Sequence, residues 1–178
     1  MPKADNPHAV RLYNSLSMHA DEQTAARIAH AMPLSKSADI HKKHMWAERV
    51  CDDLQREFDD ETIRKIRMDC ACGPETGKMD KLKRIYQSAS GLDDFAAKAN
   101  ALNQGFSLRH ENGALFLIYP QCYCSCVKRV AAPLLAAWCY CTLGYTRRMF
   151  EHVLSRSVAV ALLESVKTGG KQCVIQIT

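Results

Sequence analysis

Nine of the 178 residues are cysteine, and seven of the nine sit in clusters where one residue separates neighbouring sulfurs. Cys70 and Cys72 form one C-x-C pair, Cys122, Cys124 and Cys126 a C-x-C-x-C run, and Cys139 and Cys141 a further pair. Cys51 and Cys173 stand alone. Thiolates bind soft metals, attack electrophiles and exchange with disulfides. On an extended chain residues i and i+2 share a face, so Cys122, Cys124 and Cys126 would aim their sulfurs at one spot. A tetrahedral zinc needs four N or S ligands, and Cys122, Cys124, Cys139 and Cys141 are the candidates for a metal or reactive-thiol site. Cys139 and Cys141 lie just ahead of a helix expected from about Thr142, whose dipole favours the thiolate form. An all-thiolate set suits zinc. Iron or an iron–sulfur cluster ranks behind it, because the spacing is not that of a ferredoxin. The paired C-x2-C knuckles of common zinc sites are absent. Cys51 reads as a small buried hydrophobe, Cys126 as either that or a ligand, and Cys70 with Cys72 as a second thiol site.

Other chemistry is thinly represented. Gly73-Pro74-Glu75-Thr76-Gly77-Lys78 has the outline of a phosphate loop, but it is one residue short between the glycines and lacks Ser or Thr after the lysine. It reads as a turn and a helix start. No G-x-S-x-G or G-x-G-x-x-G occurs. His110 and His152 lie in the cysteine-rich half and are candidate bases for a cysteine nucleophile. His8, His19, His30 and His41 are evenly spaced, but Pro33 interrupts any helix that would align them, so the spacing carries no meaning. His41-Lys42-Lys43-His44 reads as a solvated basic helix face in preference to a metal pair. Arg147, Arg148 and Arg156 read as the wet face of a helix.

The elements that must position these residues follow from periodicity. Helices are expected over Asp21–Met32, from a cap at Ser37 or Asp39 to about Phe58, and over Glu61–Met68, Met79–Ser88 and Leu92–Asn103. After Gly105 the pattern alternates. Leu108 and Leu115–Tyr119 flank Asn112-Gly113, a strong hairpin signal. A loop through Pro133, a helix over about Thr142–Leu154, and strands over Ser157–Glu164 and Lys171–Ile177 complete the chain. The fold class is α+β, with N-terminal helices followed by a four-stranded antiparallel sheet with an inserted helix. The expected organisation is an N-terminal helical region over 1–60 and a cysteine-rich α+β ligand-binding-like domain over 61–178, together one compact unit.

Cys141, Gly144-Tyr145, Glu164, Gly169-Gly170 and Cys173 follow one another as the end of a 4-vinyl-reductase-type domain does, and the stretch Cys139–Ile177 resembles that small-molecule-binding module. The resemblance implies a zinc held by Cys141, Glu164 and Cys173. The family's fourth ligand position holds Lys167, so the set is completed only if Cys122, Cys124 or Cys139 joins it. The longer series Tyr119-Pro120-Gln121-Cys122-Tyr123-Cys124, Cys139-Tyr140-Cys141, Leu163-Glu164-Ser165-Val166-Lys167 and Gly170-Lys171-Gln172-Cys173 is similar to cysteine-rich bacterial proteins of unknown function. Some of these carry the label of L-2-amino-thiazoline-4-carboxylic acid hydrolase-like proteins.

Composition sets the outer limits. The apolar fraction is 47% and the charged fraction 24%, which excludes disorder and fibrous classes. Residues 1–104 carry 16 basic and 16 acidic side chains, whereas residues 105–178 carry 8 and 3. No run is apolar and long enough for a membrane span. The N-terminus lacks a secretory pattern, which points to the cytoplasm and to reduced thiols. The expected function is small-ligand binding beside a cysteine-rich, zinc-type site, with Phe116, Tyr119, Trp138 and Tyr145 lining the ligand pocket. The alternatives are a thiol- or zinc-dependent hydrolase of a small sulfur- or nitrogen-containing substrate, and a thiol redox sensor. The expected partner is a small molecule. Neither a membrane nor nucleic acid is expected, and a homodimer stays open.

Overall fold

The computed structural model describes residues 6–73 and 75–178. Among them are seven α-helices and one four-stranded antiparallel sheet with a helix inserted before the last two strands. This is the α+β class expected from the alternation of patterns. The chain forms two compact units, Met1–Ala71 with Tyr123–Cys141, and Cys72–Cys122 with Thr142–Thr178.

The first unit is helical. It contains α1 (Pro7–Leu16), α2 (Glu22–Ala29), α3 (Ile40–Glu57) and α4 (Asp60–Asp69). Each begins at a side chain that accepts a backbone N–H: Asn6 from His8, Asp21 from Thr24, Asp39 from Lys42 and Asp59 from Thr62. Such a cap supplies an acceptor for one of the unpaired amides of a first turn. Helix α1 was not expected from the polar N-terminus, yet Asn6-Pro7 is a cap followed by proline at the first helical position. Ala9, Leu12 and Leu16 then fall on one buried face. Helix α2 ends at His30, short of Pro33. The core of this unit centres on Trp46 and Trp138, packed edge to face with ring centroids 5.6 Å apart. The Trp46 indole N–H donates to the Ala29 carbonyl at 3.1 Å.

The second unit holds the sheet. Helices α5 (Thr76–Gln87) and α6 (Leu92–Asn100) precede β1 (Ser107–Glu111) and β2 (Ala114–Tyr119). The turn between the strands places Asn112 at φ 50° and Gly113 at φ 78°, the double left-handed pair that a two-residue hairpin requires. Strand β3 (Val160–Glu164) and strand β4 (Cys173–Ile177) extend the sheet in the order β1-β2-β4-β3. Leu108, Leu117 and Ile175 lie side by side in the register and are buried. Helix α7 (Ala136–Leu154) starts six residues earlier than Thr142, so its opening turns belong to the first unit and the remainder to the second. Pro74, within the phosphate-loop-like stretch, lies outside the described residues.

Candidate functional site

Helix α4 carries Ile63, Ile66 and Arg67 at helical spacing, so the guanidinium enters the first unit on the same face as the apolar side chains. Arg67 is 3% exposed. Its Nη2 donates to the Trp138 carbonyl at 2.8 Å and its Nε to the Ala137 carbonyl at 3.4 Å. The guanidinium carbon lies over the Trp138 ring, 4.2 Å from its centroid. Nη1 donates to the Cys70 sulfur at 3.1 Å. No carboxylate pairs with this arginine among the described residues. The groups acting electrostatically on it are sulfurs: Cys70 first, then Cys141, Cys51 and Cys124. Burial disfavours the cation and these sulfurs oppose that effect where they are ionised; arginine is in any case too basic to lose its proton at neutral pH.

The sulfurs differ in environment. Cys70 is the C-cap of α4 and lies three residues past Arg67; as a thiol its Sγ donates to the Arg67 carbonyl at 3.3 Å, a bond the ionised sulfur gives up. Burial pushes the Cys51 thiol up to about 11, against the pull of Arg67 and of the Trp138 N–H in the first turn of α7. Burial pushes Cys126 up to about 12, and its Sγ donates to the Lys43 carbonyl at 3.7 Å. Burial also carries the Cys141 thiol far above its ordinary value, with Arg67 opposing and Cys124, Cys70 and Cys139 adding to the rise. Cys51, Cys126 and Cys141 are therefore protonated at neutral pH. Cys70 receives a guanidinium hydrogen bond, and Cys124 is partly exposed. Among the described residues no disulfide joins any of the nine.

The metal-ligand geometry expected from spacing takes a different form. Cys124-Ser125-Cys126 is not extended: the Cys124 carbonyl accepts from the amides of Val127 at 3.1 Å and Lys128 at 2.9 Å, so the chain coils there. Cys139 and Cys141 lie inside α7, where residues two apart point about 200° from one another. Cys124, Cys139 and Cys141 belong to the first unit, and Cys122, Glu164 and Cys173 to the second. Among the described residues no group of three or more His, Cys, Asp or Glu side chains is assembled closely enough to hold a metal ion.

Glu164 has another task. Its Oε1 accepts from the amides of Lys171 at 2.7 Å and Gln172 at 3.3 Å, and its Oε2 from the Gln172 side chain at 3.4 Å. The carboxylate closes the turn that leads from β3 through the short 3-10 helix Val166–Thr168 into β4. Gly170 makes room for it, since a Cβ there would stand 2.6 Å from Glu164 Cγ and 2.9 Å from the Ser165 carbonyl. Lys167 is buried in that turn. Both Glu164 oxygens thus accept hydrogen bonds within this turn.

The remaining candidates are spread out. In the second unit Phe116 lies on the sheet face away from Leu117 and under the Arg109 guanidinium, 5.1 Å from its centroid. Tyr119 pairs in register with Cys173 and meets the Phe106 ring at 6.2 Å. Burial raises the Tyr145 phenol, with Glu75 and then Cys72 adding to the rise. Cys72 is exposed, and its carbonyl accepts from Arg148 at 3.1 Å. His110 faces Asp93 at 3.0 Å and His152 faces Asp80 at 2.8 Å, so each candidate base is tied to a carboxylate. His44, read as solvated, is 3% exposed, with Nε2 3.2 Å from the Ala132 carbonyl. Arg67 itself escaped the sequence reading. Its only signal was a charge at the buried helical position that Ile63 and Ile66 define.

An α+β fold with a buried guanidinium donating to a cysteine sulfur is the class these features define. The chain belongs to a family of unknown function, DUF6144, whose family model matches residues 4–178. No curated protein matches it.

Proposed function

We propose that the first unit carries a thiol centre in which Arg67 holds Cys70 as a thiolate for reversible oxidation. The observation that carries this reading is the buried guanidinium with a sulfur, and no carboxylate, at hydrogen-bond distance. A buried cation needs a compensating charge, and a thiolate at 3.1 Å supplies one. The oxidant class is a small hydroperoxide. The Cys70 thiolate attacks its terminal oxygen, an S–O bond forms, the O–O bond breaks, and the alkoxide or hydroxide leaves and takes a proton from water. The sulfenic acid then condenses with the thiol of Cys124 or Cys141, forming a disulfide and releasing water. Cys124 is partly exposed, the Cys141 sulfur is buried, and both belong to the same unit as Cys70. A dithiol reductant restores the pair.

The test is the pH dependence of iodoacetamide alkylation at Cys70, followed by peptide mass. The expected midpoint lies at least about one unit below the ~8.5 of an ordinary thiol, and Arg67→Met moves it back to that value or above. If R67M fails to fold, the wild-type midpoint alone decides. A Cys70 that reacts only after unfolding overturns the reading.

A further inference from the structure

A second group of charges stands in the same unit, and the thiol step uses only Arg67 of it. Arg11 Nη2 lies 3.1 Å from His8 Nδ1, and His8 Nε2 lies 3.0 Å from the Ser125 hydroxyl. An arginine only donates, so Nδ1 accepts and the imidazole proton sits on Nε2, which donates to Ser125. The histidine is therefore no base towards that serine. Burial, then Arg11, Arg67 and Lys43, press its pKa down to about 4, so it is neutral at pH 7. The same three cations act on Cys126, one residue beyond Ser125. They come from α1, α4 and α3, and none of them forms an ion pair among the described residues. Arg11 Nε is buried with no hydrogen-bond partner, and so is the indole N–H of Trp138, the ring beneath Arg67. Among the described residues of this unit the buried side-chain polar atoms lacking partners are thus both donors, where native interiors normally satisfy such groups.

We infer that Arg11 and Lys43, within the field of Arg67, form a binding site for a small oxyanion beside the Cys124-Ser125-Cys126 loop. Cations with no carboxylate among them, and buried donors with no acceptor, are what a phosphate-, sulfate- or carboxylate-bearing ligand completes. The site deepens the thiol-centre reading by giving its substrate a negative charge, but it binds its anion whether or not Cys70 is a thiolate.

The probe is inorganic phosphate, titrated calorimetrically at constant ionic strength against chloride, with the full chain and with its C70S variant. The expected result is saturable binding of about one phosphate per chain in both proteins. R11Q should bind about tenfold more weakly, as expected for one lost charge-assisted contact. K65Q, at an exposed lysine paired with Glu61, should bind as the wild type does. If R11Q does not fold, protection of Cys124 from iodoacetamide by phosphate in the wild type gives the second readout, with slower alkylation expected. No binding above chloride, or equal loss in K65Q and R11Q, overturns the site. Binding retained in C70S while Cys70 shows ordinary acidity would overturn the thiolate and leave the anion site standing.

Discussion

Arg67 and His8 are the residues where folding and chemistry pull against each other. Removing one partner of a buried pair leaves the other uncompensated and is strongly destabilising. Arg67→Met also strands the Ala137 and Trp138 carbonyls without their donor, so it is expected to lower chemical-denaturation stability by about 3 kcal/mol while removing the acidity of Cys70. Unchanged stability would mean that the guanidinium neither pairs with a thiolate nor holds those carbonyls. His8 makes a prediction with a definite sign. Its folded pKa, about 4, lies below the ordinary 6.5, so between those values the unfolded chain binds the proton and the native chain does not. Its contribution is present above pH 6.5 and is lost as pH falls towards 4. His8→Gln should flatten the decline of stability over that window by up to about 2 kcal/mol. An identical slope in both proteins would show that carboxylates alone drive the decline. At this scale the sequence was half legible. The cysteine clusters announced thiol chemistry, but Arg67 did not, because a charge on a helix reads as solvent-facing until tertiary packing places it inside.

Helices and turns were the most legible scale where a local rule decides the outcome. Asp21, Asp39 and Asp59 each cap the helix they precede, and Asn112-Gly113 makes the hairpin turn with both residues at positive φ. Helix α7 was legible only in part. Its start depends on packing of Ala137 and Trp138 in the first unit, which periodicity around Thr142 does not encode. That shift of six residues turned a thiol pair at a helix entrance into two thiols on different helix faces. The β3–β4 connection has its own test. Gly170→Ala drives a Cβ to 2.6 Å from Glu164 Cγ and to 2.9 Å from a backbone oxygen that cannot swing aside. It should lower stability by about 1–3 kcal/mol, the usual cost of overpacking. Glu164→Gln weakens the same turn and should leave bound metal, if any is found, unchanged. Wild-type stability in G170A, or metal lost in E164Q, would contradict the turn-closing role.

The whole chain is an α+β member of DUF6144, with no helix among the described residues long and apolar enough to cross a membrane. The class followed from one change of pattern after Gly105, from helical spacing to alternation, and needed no knowledge of the site. The division into units was not readable in the same way. The segment Tyr123–Cys141 packs with the first 71 residues, far from it in sequence. That long-range pairing puts Cys124 and Cys141 in one unit with Cys51, Cys70 and Arg67, so the grouping arises from tertiary structure and from no single motif. The most direct measurement exposes native, metal-free protein to about one equivalent of hydrogen peroxide and maps sulfenic acid and disulfide by mass spectrometry, with metal content determined beforehand. The expected result is oxidation first at Cys70, then a dithiol-reversible disulfide from Cys70 to Cys124 or Cys141, in protein that needs no metal to fold. Oxidation led by the exposed Cys72 with Cys70 untouched, or thiols masked until a stoichiometric metal is removed, would contradict the account.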